Sequence, residues 1–262
     1  MTRLSQFTRI ITPSFRESLL DFWFHRQKSA ASPVLPGQND MARWFSRDAE
    51  FDKLCTRQFL PALEAIREAN VTATELRTAL NLSSPLDWLS TLLLLDQMSR
   101  NCYRDLQSAV VFTQFDPLAS ELALQAIKNG VPDSRPIKYQ LAYRLWFYLP
   151  LMHTENLETH KIALRQYEKM SNDAEELIRN GKDSSMDPET EDCYRVFSEQ
   201  PDTIRDYIKR CTDEEVKHTA LIERFGRYPH RNPPLGRTPT QAEIAYLKNG
   251  GETFGAKADY DN

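Results

Sequence analysis

Two short stretches of the sequence concentrate side chains that can bind anions or move protons. Residues 92–104 read LLLLDQMSRNCYR, and residues 224–237 read RFGRYPHRNPPLGR. Arginine binds carboxylates and phosphates through two parallel hydrogen bonds, and histidine exchanges a proton near neutral pH. Because the two stretches lie far apart in the chain, the sequence predicts a polar site assembled from distant segments.

The first stretch places its polar residues on one side of a predicted helix. Asp96, Arg100 and Arg104 recur every four residues, and Gln97 and Asn101 form a second pair at the same interval. Four leucines precede this group, so we expect its first turn to lie near the core, where an isolated charge is costly. Two interpretations stay open: an ion-pair network that holds helices together, or the lining of a ligand site.

The second stretch follows a predicted helix that ends at Gly226, a residue suited to a left-handed C-cap. The chain is then expected to turn and to present Arg227, His230, Arg231 and Asn232. The arginines can hold a carboxylate or phosphate, and His230 can donate or accept a proton. The alternative is that the arginines cap helix ends and pair with acidic residues of the other motifs.

A third segment, PLMHTEN at 150–156, places two more candidates near a helix start. Thr154 is the expected N-cap, which would put Glu155 in the first turn and His153 just before the helix. His153, His230 and Glu155 are therefore the candidate catalytic residues. The candidate substrate-binding residues are the polar side chains of the other two stretches: Asp96, Gln97, Arg100, Asn101, Arg104, Arg227, Arg231 and Asn232.

A metal site can be imagined from His153, Glu155, His160 and His230. These residues have neither HExxH spacing nor any other recognised ligand spacing. We therefore predict no metal site. The sequence also lacks a P-loop, a dinucleotide-binding fingerprint and a GxSxG motif, so no cofactor is predicted.

The spacing of apolar residues predicts helices along nearly the whole chain and no strand of useful length. Asp116 is expected to cap one of these helices, with Pro117 in its first turn. Pro150 is expected to end another. The predicted helices cover residues 17–25, 48–63, 74–80, 87–104, 116–130, 135–149, 154–170, 173–179, 194–210, 213–225 and 241–247.

These elements predict an all-α protein, with antiparallel helix pairs joined by loops of modest length in one globular domain. Residues 15–256 form that domain. Residues 1–14 are expected to be an N-terminal extension, residues 181–192 a mobile loop, and residues 257–262 a C-terminal tail. Residues 28–40, rich in Pro, Ser and Gly, are expected to be a loop.

Composition narrows the classes of partner. The 262 residues are 40% hydrophobic and 27% charged, with a net charge of −4, so no global field attracts nucleic acid. No apolar run approaches the roughly 20 residues that span a bilayer. The four cysteines are scattered without a CxxC pair, which argues against a zinc knuckle or a disulfide scaffold. We expect a reduced, cytoplasmic protein and leave its oligomeric state open.

Six segments together resemble the family catalogued as domain of unknown function 924, and they run in the same order from Leu19 to Gly255. The resemblance implies an all-helical, tetratricopeptide-like fold and no general activity. The segments are DFWF, WFSRDAEFD, LLLLDQMSRNCYR, DPLASELALQAIKNG, RLWFYLPLMHTEN and IERFGRYPHRNPPLGRTPTQAEIAYLKNGGETFG.

Four positions depart from the usual pattern of that family. Thr154 replaces a serine, His160 a glutamine, Tyr228 a phenylalanine and Ser99 a proline. These changes fit a pocket adapted to a different ligand. The extended N-terminus and the insert at 182–191 are more typical of a fungal or other eukaryotic member.

We expect a cofactor-independent enzyme acting on a small organic acid. Arginines would hold a carboxylate or carbonyl oxygen, and a histidine would act as acid or base. A cyclase or isomerase of secondary metabolism, including one for a pericyclic rearrangement or cycloaddition, needs only such positioning of a terpenoid- or polyketide-like acid. The alternatives are a helical-repeat scaffold that binds a peptide or protein, and a metal-dependent hydrolase.

Overall fold

Helices make up most of the chain that the computed structural model describes, namely residues 3–24, 34–182 and 186–255. These ranges contain no β-strand, and the predicted all-α class is confirmed. No helix within them is long and apolar enough to cross a bilayer. In chain order the helices are α1 (Leu4–Ile10), α2 (Pro13–Phe24), α3 (Gln38–Phe45), α4 (Ala49–Ala69), α5 (Ala73–Ala79), α6 (Pro85–Leu93), α7 (Ser99–Cys102), α8 (Ser108–Val110), α9 (Asp116–Lys128), α10 (Arg135–Lys138), α11 (Leu141–Arg144), α12 (Leu149–Met152), α13 (Leu157–Asn180), α14 (Pro188–Glu199), α15 (Pro201–Phe225) and α16 (Gln241–Lys248).

The two longest helices, α13 and α15, form an antiparallel pair. His160, near the start of α13, contacts Glu215, late in α15, with 2.6 Å between Nδ1 and Oε1. Glu175, late in α13, pairs with Arg205, early in α15, at 2.7 Å. The order of these contacts fixes opposite directions for the two helices, as predicted for neighbours in the array.

Helix α4 shows how local sequence signals set an element. The Asp48 side chain accepts hydrogen bonds from two backbone N–H groups of the first turn, so it is the N-cap. Phe51, Cys55 and Phe59 recur at helical spacing and are buried. Asn70 ends the helix in the left-handed conformation, with φ of 47°. The predicted start at this helix is confirmed.

The predicted break between residues 170 and 173 is wrong, because α13 runs through it without interruption. The predicted N-cap is also wrong. Asn156, two residues after Thr154, accepts a hydrogen bond from the backbone N–H of Thr159 and caps the helix. Asparagine and threonine are both good caps, so composition could not choose between them.

The predicted break between residues 210 and 213 lies inside α15, so that prediction is wrong as well. The interruption falls instead at Gln200, between α14 and α15. Pro201 occupies the first turn of α15, where a residue without an N–H is tolerated, and it cannot continue the preceding helix.

The aromatic segment predicted as one helix, 135–149, is divided into α10, α11 and a 3₁₀ turn, Leu145–Phe147. Pro150 lies in the first turn of α12 and does not end a helix, contrary to the prediction. Arg144 of α11 is fully buried and donates to Asp173 of α13 at 2.7 Å. This buried ion pair fastens the segment to the long helix pair.

The N-terminal residues predicted as an extension contribute to the core. Helix α1 packs against α4, and Phe7 and Ile11 are buried there. The second predicted helix begins earlier than expected, at Pro13.

Two predicted loops are shorter than expected. Helix α3 begins at Gln38, inside the loop predicted for 28–40, and residues 25–33 lie outside the described ranges. Helix α14 begins at Pro188, inside the loop predicted for 181–192. Residues 183–185 and the predicted tail at 257–262 also lie outside the described ranges.

Two π-helical segments interrupt the regular helices, at Leu94–Met98 between α6 and α7 and at Val111–Phe115 before α9. A π turn inserts one residue and shifts the side chains that follow, often at functional sites. Arg104 lies beyond the end of α7. The expected continuous ladder of Asp96, Arg100 and Arg104 therefore ends after its first pair.

Replacing Phe7 tests whether α1 belongs to the core. Phe7→Ala removes a fully buried ring, so we expect the free energy of unfolding to fall by about 3–5 kcal/mol. Leu106→Ala, at a side chain that is 74% exposed, is the control and should change it by about 0.5 kcal/mol or less. Urea denaturation of both variants provides the comparison. Equal stability of the two would mean that α1 is not part of the core.

Candidate functional site

A cavity of about 350 Å³ opens between the segment 103–112 and the C-terminal residues 228–255. This volume lies in the range of small-molecule sites. Its lining combines four arginines, three histidines and several aromatic rings. The charged and aromatic lining residues are Arg47, Arg100, Arg104, Arg231, Asp105, His153, His218, His230, Tyr103, Phe112, Tyr228 and Phe254.

Asp96 and His153 form a hydrogen-bonded pair at the cavity. His153 Nδ1 lies 2.7 Å from Asp96 Oδ1, although the two residues are 57 positions apart. Gln97 Nε2 donates to the other carboxylate oxygen at 2.6 Å. Asp96 is almost fully buried behind His153, whose ring is partly exposed to the cavity. The π turn that carries Asp96 and Gln97 gives both side chains their positions.

The charges around this pair set its protonation. Burial alone would raise the pKa of the Asp96 carboxyl, but His153, Arg100 and Gln97 outweigh it and hold this pKa at about 2. Burial, assisted by Arg100, lowers the pKa of His153 despite the opposing effect of Asp96. At neutral pH the stable arrangement is an ionised Asp96 that accepts a hydrogen bond from the Nδ1–H of a neutral His153. The lone pair of His153 then resides on Nε2.

A second buried carboxylate, Asp116, joins two arginines. Arg100 NH2 donates to Asp116 Oδ1 at 2.6 Å and lies 3.4 Å from Asp96. Arg231 NH1 lies 3.2 Å from Asp116 Oδ2. Asp116 and Arg231 are nearly fully buried. The ion-pair network left open by the sequence is therefore present, and it lies directly along one wall of the cavity.

Three polar atoms of the cavity residues have no hydrogen-bond partner among the described residues. They are Nε of Arg100, Nε of Arg231 and Nδ1 of His230, all buried. A buried N–H without an acceptor costs about 1–3 kcal/mol. Two of these unpaired donors belong to arginines that line the cavity, which fits the predicted substrate-binding role of both arginines.

Arg231 is also held by aromatic rings. Its guanidinium carbon lies 4.3 Å from the ring centroid of Phe112 and 4.6 Å from that of Tyr228. Such cation–π contacts help to hold the guanidinium group beside the cavity. Arg104 is fixed by two hydrogen bonds to Asp52, at 2.9 and 2.6 Å, and by one to Asn101 at 2.8 Å.

His218 and His230 line the cavity in neutral form. Burial is the main cause that lowers the pKa of His218, to about 3, and burial also lowers the pKa of His230 well below its ordinary value. His218 Nδ1 donates to the backbone carbonyl of Glu214 at 2.7 Å, as expected for a structural histidine. Its ring stacks on Phe254 with 3.6 Å between centroids. The site thus places three neutral imidazoles around one space.

Glu155, a predicted catalytic residue, does not line the cavity. Its carboxylate binds Arg237 through two hydrogen bonds, at 2.6 and 3.0 Å, and accepts a third from the backbone N–H of Tyr228 at 2.8 Å. With both oxygens occupied, Glu155 anchors the C-terminal segment, and we leave it out of the candidate catalytic group.

Five predicted substrate-binding residues, Asp96 among them, also lie outside the cavity lining. Arg227 is bound to Glu243 at 2.6 and 2.8 Å, and Asn232 is fully buried. Gln97 and Asn101 do not reach the cavity but hydrogen-bond to Asp96 and Arg104, respectively, and hold them in position. The cavity therefore brings together Arg100, Arg104, His153, His230 and Arg231, with Asp96 behind them.

His160 faces away from the cavity that His153 lines. It is fully buried, bonded to Glu215 through Nδ1 and to the carbonyl of Thr154 through Nε2 at 2.9 Å. Burial raises the pKa of Glu215 in spite of His160. Within the described ranges, no group of three or more His, Cys, Asp or Glu side chains is placed to hold a metal ion.

Several cavity residues gave no local signal in the sequence. Asp116 reads as a helix cap beside Pro117, yet its carboxylate makes no cap hydrogen bond and pairs with two distant arginines instead. Phe112 and Phe254 read as ordinary apolar residues.

Comparison with known proteins gives a family and a fold. Residues 19–251 match the family model described as "Bacterial protein of unknown function (DUF924)". A solved structure of a protein of unknown function from Agrobacterium tumefaciens is similar, with a TM-score of 0.56 and 25% identity over 90% of this chain and 98% of that one. No curated protein matches.

Because the buried histidines are neutral, we expect the protein to lose stability as the pH falls. His218 has a pKa of about 3 when folded and 6.5 ordinarily, so the unfolded chain takes up the proton first as the pH falls. The contribution of the neutral, buried His218 to the free energy of unfolding is fully present above pH 6.5 and should fall by about 2 kcal/mol by pH 5. His218→Asn keeps a donor for the Glu214 carbonyl and does not titrate.

Urea denaturation between pH 7.5 and 5 should therefore show a smaller loss of stability for His218→Asn than for the wild type. Identical slopes for the two proteins would contradict a neutral buried His218.

Proposed function

The chain belongs to the DUF924 family, described only as of unknown function, and we propose from its own cavity that it is a small-molecule enzyme in which His153 transfers a proton. The observation that carries the proposal is the 2.7 Å contact between Asp96 and His153 at the cavity wall. A carboxylate that holds one imidazole nitrogen fixes the tautomer and leaves the other nitrogen as a base.

The state of His153 suits a general base. Its lowered pKa keeps the ring neutral at pH 7, and no described residue bonds to Nε2. When Nε2 takes a proton, the ring becomes positive and the adjacent Asp96 carboxylate stabilises that charge. The same nitrogen can then return the proton to another atom of the substrate.

The arginines suit the oxygen of a carbonyl or carboxylate. Arg100 and Arg231 stand on the same wall as His153, fixed by Asp116, and each keeps an unpaired Nε–H. Donors held in place before the reaction stabilise the negative charge that develops when a proton leaves a neighbouring carbon. Removal of a proton by His153 and its return to a different carbon gives an isomer of unchanged formula.

Isomerases and cyclases need only these elements. We therefore extend the proposal to a cofactor-independent isomerase or cyclase acting on a terpenoid- or polyketide-like acid of secondary metabolism. A pericyclic rearrangement or cycloaddition is the variant in which the arginines polarise a carbonyl and His153 moves no proton. The mixed polar and aromatic lining supports both variants.

A binding scaffold is the second candidate. The guanidinium groups of Arg47, Arg100, Arg104 and Arg231 each lie beside a carboxylate, and the cavity opens to solvent next to the exposed Leu106. Completed ion pairs are also expected of a purely structural network. A stable protein partner that is lost in Leu106→Glu would favour this candidate.

Substitution of the Asp96–His153 pair tests the enzyme. The protein is incubated with a small-molecule extract of the cells that produce it, in water and in D₂O, and isomeric products are followed by liquid chromatography and mass spectrometry. His153→Asn keeps a donor for Asp96 and removes Nε2, so the rate should fall by about 10²–10⁴. Asp96→Asn should slow the reaction as well, because an amide at this position favours the wrong tautomer.

Thermal melts confirm that both variants fold, and Lys53→Ala, at an exposed position, is the matched control. Deuterium in the product supports proton transfer, whereas an unlabelled isomer supports the pericyclic variant. An extract left unchanged by the wild type would contradict an enzyme, and variants as active as the wild type would contradict proton transfer by His153.

A further inference from the structure

We infer that the cavity takes a planar, conjugated carboxylic acid and that Phe254 selects for its flat ring; this inference rests on the proposed function in treating the cavity as a substrate site. Phe254 lines the cavity from the C-terminal side, beyond the residues of the proton-transfer pair. The ring offers apolar surface to the cavity because it is only partly buried.

The backbone around Phe254 is held in an unusual conformation. Phe254 has φ of 52°, in the left-handed region that a residue with a side chain rarely adopts. Glu252 stabilises it by accepting hydrogen bonds from the N–H groups of Phe254 and Thr253, at 2.9 and 3.1 Å. Tyr246 OH accepts from the Glu252 N–H at 2.7 Å. This conformation directs the ring towards the histidines of the cavity.

The ring of Phe254 is packed among other aromatic rings of the cavity. One face of Phe254 is stacked on His218, with centroids 3.6 Å apart and planes within 16°. Tyr228 and His230 stand nearly perpendicular to it, at 83° and 75°. Phe254 also lines the cavity, where the flat ring of a ligand can stack on it or meet its edge.

The charged wall specifies the other end of the ligand. Arg231 and Arg100 have unpaired, buried Nε–H groups beside the cavity. With His153 neutral, the cluster of Asp96, Arg100, Asp116 and Arg231 has no net charge, since its two carboxylates balance its two guanidinium groups. A singly charged carboxylate fits such a cluster better than a doubly charged phosphate, because it adds less uncompensated charge.

Three small probes separate the contribution of the flat ring from that of the carboxylate charge. They are benzoate, cyclohexanecarboxylate and benzamide. Cyclohexanecarboxylate has the charge of benzoate but a puckered ring, and benzamide has the flat ring but no charge. Dissociation constants come from NMR titration of isotope-labelled protein. We expect benzoate to bind about fivefold more tightly than cyclohexanecarboxylate, through stacking. We expect it to bind about tenfold more tightly than benzamide, through charge-assisted hydrogen bonds. Inorganic phosphate should bind more weakly than benzoate.

Variants assign each preference to a residue. Phe254→Leu keeps apolar bulk and should abolish the preference for benzoate over cyclohexanecarboxylate, whereas Phe254→Tyr should retain it. Arg231→Met should abolish the preference for benzoate over benzamide. If that variant does not fold, Arg231→Lys, which keeps the charge beside Asp116, should still weaken benzoate binding.

Three results overturn the inference: no binding of either acid, equal binding of the two acids to the wild type, or an unchanged preference in Phe254→Leu. His153→Asn should leave both preferences intact, because it removes the proposed base and leaves Phe254 and Arg231 in place. If His153→Asn is fully active while the preferences hold, the proton-transfer proposal fails and this inference stands. If His153→Asn is inactive while the binding preferences are absent, the proton-transfer proposal stands and the inference of a planar acid fails.

Discussion

The buried carboxylate of Asp116 is the contact on which the cavity depends. It binds Arg100 from the first polar motif and Arg231 from the last, two segments more than one hundred residues apart. Removing one partner from a buried ion pair typically costs 3–5 kcal/mol, because the other charge is left uncompensated. Asp116 therefore both joins the two ends of the chain and fixes the directions of the two guanidinium groups that face the cavity.

The C-terminal segment divides its charged residues between anchoring and the cavity wall. Arg237 is bound to Glu155, and Arg227 to Glu243, on the outside of the segment. Arg231 lies between these anchors and points inwards. Because the anchors hold the backbone on both sides, the inward side chain keeps its position with its buried Nε–H still unpaired. A buried, unpaired donor lowers the stability of a purely structural network, but in a ligand site it can bind the ligand.

Much of the fold could be predicted from local signals. Helical periodicity gave the all-α class, Asp48 gave the start of α4, and Gly226 ends α15 in the left-handed conformation expected of a C-cap. Helix breaks were harder. The continuity of α13 follows from packing, and the interruption at Gln200 follows from Pro201. The pattern of polar and apolar residues does not show how strongly packing or a proline will override helix propensity.

The sequence by itself determined which residue types would meet: arginines, histidines and carboxylates from three motifs. Only the tertiary structure decided their partners. Asp116, expected to be a helix cap, instead pairs with the arginines of the cavity, and Glu155, expected to be a catalytic residue, instead anchors the C-terminal segment. Both outcomes depend on contacts between residues far apart in the chain and on π turns that shift the side-chain register, as at Asp96. Local periodicity specifies a helix face, but the geometry of packed helices specifies what that face meets.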